Sequence, residues 1–126
     1  MKRDVAALPP DRHRYVSLRS RAEFARVYRE GSRRRVGEIL VISAVGEPGP
    51  PQVGVVAGRR VGSAVVRNRV KRRLREALLK AELSGGTSYL IVALPLIADA
   101  GFDEIARWVR RGVRSSRGEG KRREAY

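Results

Sequence analysis

The side chains that usually move protons, attack phosphates or hold metals are few and scattered in this sequence. The only histidine, His13, lies between Arg12 and Arg14 just after Pro9-Pro10. General base work needs a ring held in fixed geometry, and no partner for this ring is evident. Cysteine is absent, which excludes disulfide frameworks and thiolate metal sites. A metal nuclease needs several carboxylates converging on one site. Here Asp99, Asp103 and Glu104 surround one expected helix start, where acids complement the macrodipole. Glu38 and Glu47 are isolated, and Glu76 and Glu82 lie among cations. No phosphate-cradling GxxxxGK[ST], HExxH or GxSxG motif is present.

Guanidinium, by contrast, is abundant. The chain carries 28 Lys and Arg against 13 Asp and Glu, a formal net charge of +15. The densest part runs from Arg59 through Arg60, Arg67, Arg69, Lys71, Arg72 and Arg73 to Arg75, with no acid before Glu76. Arginine stays protonated, so these groups bind or stabilise charge rather than shuttle protons; their planar forks suit phosphate and stack on bases. An excess this large points to a polyanionic partner. A solvated basic surface is the plainer alternative.

The elements that would position these cations follow from periodicity. Within the stretch Gly58–Glu82, Val66, Val70, Leu74, Ala77, Leu78 and Ala81 recur at helical spacing, so the cations coat a helix whose apolar stripe docks on a core. Asn68 lies opposite that stripe near Arg72; its amide can both donate and accept, which arginine cannot. Upstream, Ser20 and Glu23 predict a capping box opening a helix that Gly31 ends. Phe24, Val27 and Tyr28 share one face of it, as core residues or, for an open ring, as a platform for a base. The β-branched run 38–45 predicts a strand, with Val53–Gly58 as its hairpin partner across a Gly/Pro loop. Residues 88–94 predict a further buried strand. Phe102–Arg114 predicts an amphipathic helix with Trp108 at the edge of its stripe. The expected division is a flexible arm over 1–14, one α/β domain over 15–115 and a disordered basic tail over 116–126.

The fold class is therefore α+β, a single-domain sandwich whose central sheet of about four strands has helices packed on it. Its order is α-β-β-α-β-α, with a further strand allowed before the basic helix. No apolar run is long enough to span a bilayer, and the first residues lack the apolar stretch of a signal peptide. A cytoplasmic protein is expected. On residues alone this is a nucleic-acid-binding domain without catalytic machinery of its own. RNA is favoured over duplex DNA because no helix-turn-helix or zinc finger is recognisable.

One motif is more specific. Val65-Val66-Arg67-Asn68-Arg69-Val70-Lys71-Arg72 followed by Arg75-Glu76, approached through Gly54-Val55-Val56, Arg59-Arg60 and Val61-Gly62-Ser63-Ala64, resembles the signature of the bacterial ribonuclease P protein subunit. The likeness extends loosely from about Ser17 to Val113. It implies a non-catalytic protein subunit of an RNA-based endoribonuclease. The RNA subunit, using magnesium ions held mainly by RNA and none bound by the protein alone, removes the 5′ leader of precursor tRNA.

The resemblance assigns Arg59, Arg60, Arg67, Asn68, Arg69, Lys71, Arg72 and Arg75 to the catalytic RNA. It assigns Phe24 and Tyr28 to a cleft for the single-stranded leader. Family members often place aromatics on the strand matching 38–45, where this chain has Ile39-Leu40-Val41-Ile42. It also implies a left-handed βαβ crossover through the basic helix, against the usual hand, in a ribosomal protein S5 domain 2-like fold. The implied partners are the catalytic RNA, bound 1:1, and the precursor tRNA leader, with no DNA and no membrane. The alternatives are a structural rRNA-binding protein of ribosomal type and a nuclease with an unrecognised site.

Overall fold

Strict two-residue alternation along three central strands decides the architecture. The computed structural model describes residues 15–122, with side chains through Arg114. Within it lie β1 (Val16–Ser17), α1 (Arg21–Glu30), β2 (Ser32–Val36), β3 (Ile39–Val45), β4 (Gln52–Ala57), α2 (Ala64–Leu79), β5 (Thr87–Ala93) and α3 (Phe102–Arg122). Short 3-10 turns at Arg59–Val61 and Pro95–Asp99 precede α2 and α3. The expected arm over 1–14, including His13, and positions 123–126 of the expected tail lie outside the described residues.

The five strands form one sheet in the order β1-β4-β5-β3-β2. β4 is parallel to β1 and β5, whereas β3 is antiparallel to β5 and β2. This corrects the expected hairpin between β3 and β4: β5 lies between them. The physical reason is burial. Serine 88 through Ile91 are all buried, and a strand covered on both faces belongs in the middle of a sheet. The connection β4–α2–β5 joins parallel neighbours through the basic helix, which is the crossover unit expected.

The true hairpin partner of β3 is β2, the Ser-Arg-Arg-Arg-Val segment, which brings the sheet to five strands where about four were expected. Its charged residues suit an edge, where lysine and arginine discourage pairing with another chain. Gly37 closes the turn with φ of 55°, a left-handed conformation that glycine adopts without steric cost. A Cβ there would also run into the Trp108 indole at Cε2, Nε1 and Cδ2. Trp108 thus covers the β2–β3 turn from the edge of the α3 stripe.

On one sheet face, Ile39, Val41, Val53, Tyr89, Ile91 and Ala93 join Val70, Leu74, Ala77 and Leu78 of α2 and Ile105, Ala106, Val109 and Val113 of α3 in the main core. The neighbouring residues along the same strands point the other way. There Ile42 and Leu90 pack with Val27 of α1 and Leu18, with Phe24, Leu40, Ala44, Val56 and Val92 partly buried around them. α2 and α3 therefore cover one face, and the shorter α1 covers part of the other.

α2 begins at Ala64, as expected after a short connection over 59–63: Gly62 and the cap Ser63, whose Oγ accepts from the Val66 amide at 3.3 Å, separate it from the preceding turn. Two other details differ from expectation. The capping box of α1 is half formed: Ser20 Oγ accepts from the Glu23 amide at 3.1 Å, but the Glu23 carboxylate pairs with Arg26 at 3.1 Å. α3 continues to Arg122, past the expected stop at Arg114, so part of the segment read as a tail is helical. Gly118 and Gly120 each weigh against helix by about 1 kcal/mol. No proline intervenes to remove an amide donor.

Candidate nucleic-acid interface

The apolar stripe of α2 sets where its cations go. Val70, Leu74, Ala77 and Leu78 are buried, each at 1% exposure or less. Burying such aliphatic side chains contributes about 1.5–3 kcal/mol apiece, so the helix cannot roll without exposing them. At 100° per residue, Asn68, Arg72 and Arg75 then fall on one outward line, and all three are exposed. Arg67 and Lys71 lie half-buried on one flank, and Arg69 is exposed on the other. Arg59 and Arg60 are exposed on the turn that leads into the helix. The expected RNA-binding residues are thus brought onto one continuous surface.

That surface is electrostatically uncompensated. The ion pairs among the described residues join Arg26 to Glu23 and Glu30, Arg29 to Glu30, and Arg35 to Glu38. None involves a cation between Arg59 and Arg75. Arg67 alone of these is tied to the protein, its guanidinium donating to the Gly62 carbonyl at 3.1 Å. This contact braces the glycine turn at the helix entrance and fixes the direction of the Arg67 side chain. Tyr15 packs behind the helix, its hydroxyl donating to the Arg75 carbonyl at 3.4 Å. Burial pushes the Tyr15 phenol up from its ordinary value of 10.0, partly offset by the Arg75 charge.

Phe24 and Tyr28 lie one turn apart on α1, across the sheet from α2. Their surroundings differ. Phe24 is half-buried over Gly54 of β4; a Cβ at that glycine would stand 2.6 Å from Phe24 Cζ and 2.7 Å from Cε1. Tyr28 is 53% exposed, with the Arg33 guanidinium 4.4 Å from its ring centroid and donating to its main-chain oxygen. One face of the tyrosine thus already carries a cation–π contact, and the phenylalanine ring is a wall anchored on the sheet.

Beside α1 the sheet is left partly open. Register aligns Arg35 with Leu40, Leu40 with Val92, and Val92 with Val56 in one row across four strands. Leu40, Val92 and Val56 are half-buried and Arg35 is exposed. The row next to it carries Arg33 opposite Ile42. The result is a shallow groove with an aliphatic floor, an aromatic wall on α1 and arginines at the β2 rim. The sequence reading missed Arg33, Arg35, Leu40, Val56 and Val92. The signal that could have found them is strand parity: in Ser-Arg-Arg-Arg-Val, the first and third arginines share a face.

Four of the carboxylates have structural tasks. Glu23 and Glu30 engage Arg26, Glu38 engages Arg35, and Glu104 Oε1 accepts from the Gly101 amide at 3.3 Å at the start of α3. Among the described residues no three metal-ligating side chains come together. No helix among them is long and apolar enough to cross a membrane.

Known proteins resemble this chain in sequence and in fold. The family model described as Ribonuclease P matches residues 13–116. The ribonuclease P protein component of Beutenbergia cavernae is 45% identical over 93 residues, covering 71% of this chain and 78% of the relative. That of Kocuria rhizophila is 39% identical over 106 residues, covering 82% and 91%. The solved RNase P protein of Staphylococcus aureus superposes with a TM-score of 0.70 at 20% identity, covering 79% of this chain and 93% of the other. At that identity the superposition speaks for the fold, and the sequence matches speak for the family. The chain belongs to the ribonuclease P protein family.

Proposed function

We propose that this chain is the protein subunit of ribonuclease P and that it grips two RNAs from opposite faces of its sheet. The observation that carries this reading is the pairing of unlike surfaces: an uncompensated cationic helix on one face and an aromatic-walled groove on the other. Family membership favours this role over that of a structural ribosomal protein.

In this reading the catalytic RNA lies along α2, held by Arg59, Arg60, Arg67, Asn68, Arg69, Lys71, Arg72 and Arg75. Arginine forks bind the backbone phosphates bidentately, and Asn68 supplies the one amide that also accepts. The single-stranded 5′ leader of precursor tRNA occupies the groove on the α1 face. Phe24 and Tyr28 offer rings for base stacking, Leu40, Val92 and Val56 pack against bases or riboses, and Arg33 and Arg35 meet the phosphates. The protein contributes no reacting group. Its part in catalysis is to hold leader and catalytic RNA in fixed relation, which lowers the entropic barrier to cleavage. The magnesium ions of the holoenzyme would be held mainly by the RNA, since among the described residues no three metal-ligating side chains of this chain come together. One protein per catalytic RNA, in the cytoplasm and without membrane or DNA contact, completes the proposal.

Reconstitution tests it. The purified chain alone should bind RNA without cleaving precursor tRNA. With a bacterial ribonuclease P RNA at low magnesium, it should restore 5′-end cleavage beyond the RNA alone. Site-specific cleavage by the chain alone, or no gain on mixing, would refute the proposal.

A further inference from the structure

A second cationic site lies at the far end of α2, outside the signature. A cavity of about 300 Å³ opens there against α3, lined by Lys80, Glu82, Arg110 and Arg114. All four residues are exposed. Among the described residues none of the three cations pairs with Glu82 or with any other carboxylate. Three positive side chains thus converge on one notch with a single carboxylate to offset them, and an anion entering it relieves their mutual repulsion.

The notch lies on the same flank of α2 as two signature-end cations. Arg69, Arg73 and Lys80 are spaced by four and seven residues, so they follow one another down the same flank of α2 over about 16 Å. Arg110 and Arg114 stand one turn apart on α3 and face Lys80 across the cavity. The notch therefore carries cations from both helices, Lys80 at the end of α2 and Arg110 and Arg114 on α3, and the exposed acid Glu76 on the same α2 flank separates it from Arg69 and Arg73. The occupant such a notch suits is a sugar-phosphate backbone. A protein partner would need an apolar centre to its interface, and all four residues that line the notch are of charged type. The leader is excluded by position, because its groove lies across the sheet on the α1 face.

We infer that the α2–α3 notch formed by Lys80, Arg110 and Arg114 is a second anchoring site for backbone phosphates of the catalytic RNA. It extends the α2 contact to the opposite end of the helix. This rests on the reading of the chain as a ribonuclease P subunit. Two anchors far apart on one rigid helix set the orientation of the protein on its RNA, which a single cluster leaves able to pivot.

The absence of native cysteine makes the test direct. Single Lys80→Cys, Arg110→Cys and Arg69→Cys variants, each carrying a photo-crosslinker, are assembled with ribonuclease P RNA and precursor tRNA. Probes at positions 80 and 110 should crosslink to the catalytic RNA, in a segment distinct from that reached from position 69. The combined Lys80→Gln, Arg110→Gln, Arg114→Gln variant should lower the salt-dependence slope of RNA affinity by about two, with its preference for precursor over mature tRNA unchanged. An unchanged slope, or probes at 80 and 110 that crosslink to nothing or to the leader while position 69 reaches the RNA, would overturn the inference. Failure at position 69 would instead overturn the broader functional reading.

Discussion

Gly54→Ala tests the groove without touching any residue that would contact RNA. The glycine is buried in β4, and its φ is not among the positive values, so alanine fits the backbone. The new methyl would stand 2.6 Å from Phe24 Cζ, 2.7 Å from Cε1 and 3.2 Å from Leu18 Cδ1. Ordinary carbon contacts are about 3.5–4.0 Å, so the ring must retreat by about 1 Å. Overpacking of this kind costs about 1–3 kcal/mol. The entropy lost from the unfolded chain on replacing glycine returns about 0.4–1 kcal/mol. A net loss of about 1–2 kcal/mol corresponds to a drop in Tm on the order of 5–10 °C for a domain of this size.

The functional consequence is separable from the stability loss. A stacked base contributes about 1–3 kcal/mol, so moving the Phe24 wall should weaken leader binding by up to that amount, about 5- to 150-fold. Binding of mature tRNA, which has no leader, should not change. The assay is the affinity ratio of precursor to mature tRNA for the assembled holoenzyme, measured well below Tm. A double-mutant cycle fixes the cause. In a Phe24→Ala background the clash disappears, so Gly54→Ala should cost little more, giving a coupling of at least about 1 kcal/mol. Additive effects, or Gly54→Ala with unaltered Tm and leader preference, would refute the reasoning.

Two further outcomes follow from the α2 surface and its support. Arg69→Ala removes an exposed cation and should flatten the salt dependence of catalytic-RNA binding by about one unit of slope; Arg67→Ala should do this and also lower Tm, since Arg67 braces the Gly62 carbonyl, and equal melting curves for the two variants would count against that brace. Tyr15 has a phenol raised above 10.0 by burial, so the unfolded chain ionises first as pH rises and the folded state loses stability through that window; the loss, followed by chemical denaturation above pH 10, should be smaller in Tyr15→Phe, and an identical pH profile would show that the phenol does not titrate differently on folding.

The sequence made one half of this molecule legible and concealed the other for a physical reason. The α2 stripe of Val70, Leu74, Ala77 and Leu78 was readable because helical periodicity reports a local geometry, and all four residues are buried where expected. Strand pairing is not local. Nothing within 38–45 or 53–58 says that β5, some thirty residues further on, will enter between them; that follows only from which strand is buried on both faces. The same limit hid the groove floor, since Leu40, Val56 and Val92 become neighbours only through the register of three strands. The β2 arginines read as a basic run because strand propensity is low for such a segment. Their place as an edge strand depends on the Gly37 turn and on Trp108 covering it. Phe24 and Tyr28 were both expected in one cleft. The structure puts both on α1 but gives them unlike surroundings, one ring seated on Gly54 and the other under Arg33.

The topology bears directly on how two RNAs could be held at once. β3 and β5 supply both faces: Val41 and Ile91 belong to the core under α2 and α3, while Leu40 and Val92 floor the groove beside α1. The leader and the catalytic RNA would therefore be separated by little more than the sheet and one helix layer, on the order of 10 Å between packed layers. At ~8 Å of Debye screening in physiological salt, the cations of α2 scarcely reach the groove. The groove needs its own charge, and Arg33 and Arg35 supply it at the β2 rim. Neutralising that rim should thus weaken the leader and leave the catalytic RNA bound, and neutralising α2 should do the reverse. That separation is a property of strand alternation, not of loop placement, and so it is as rigid as the sheet itself.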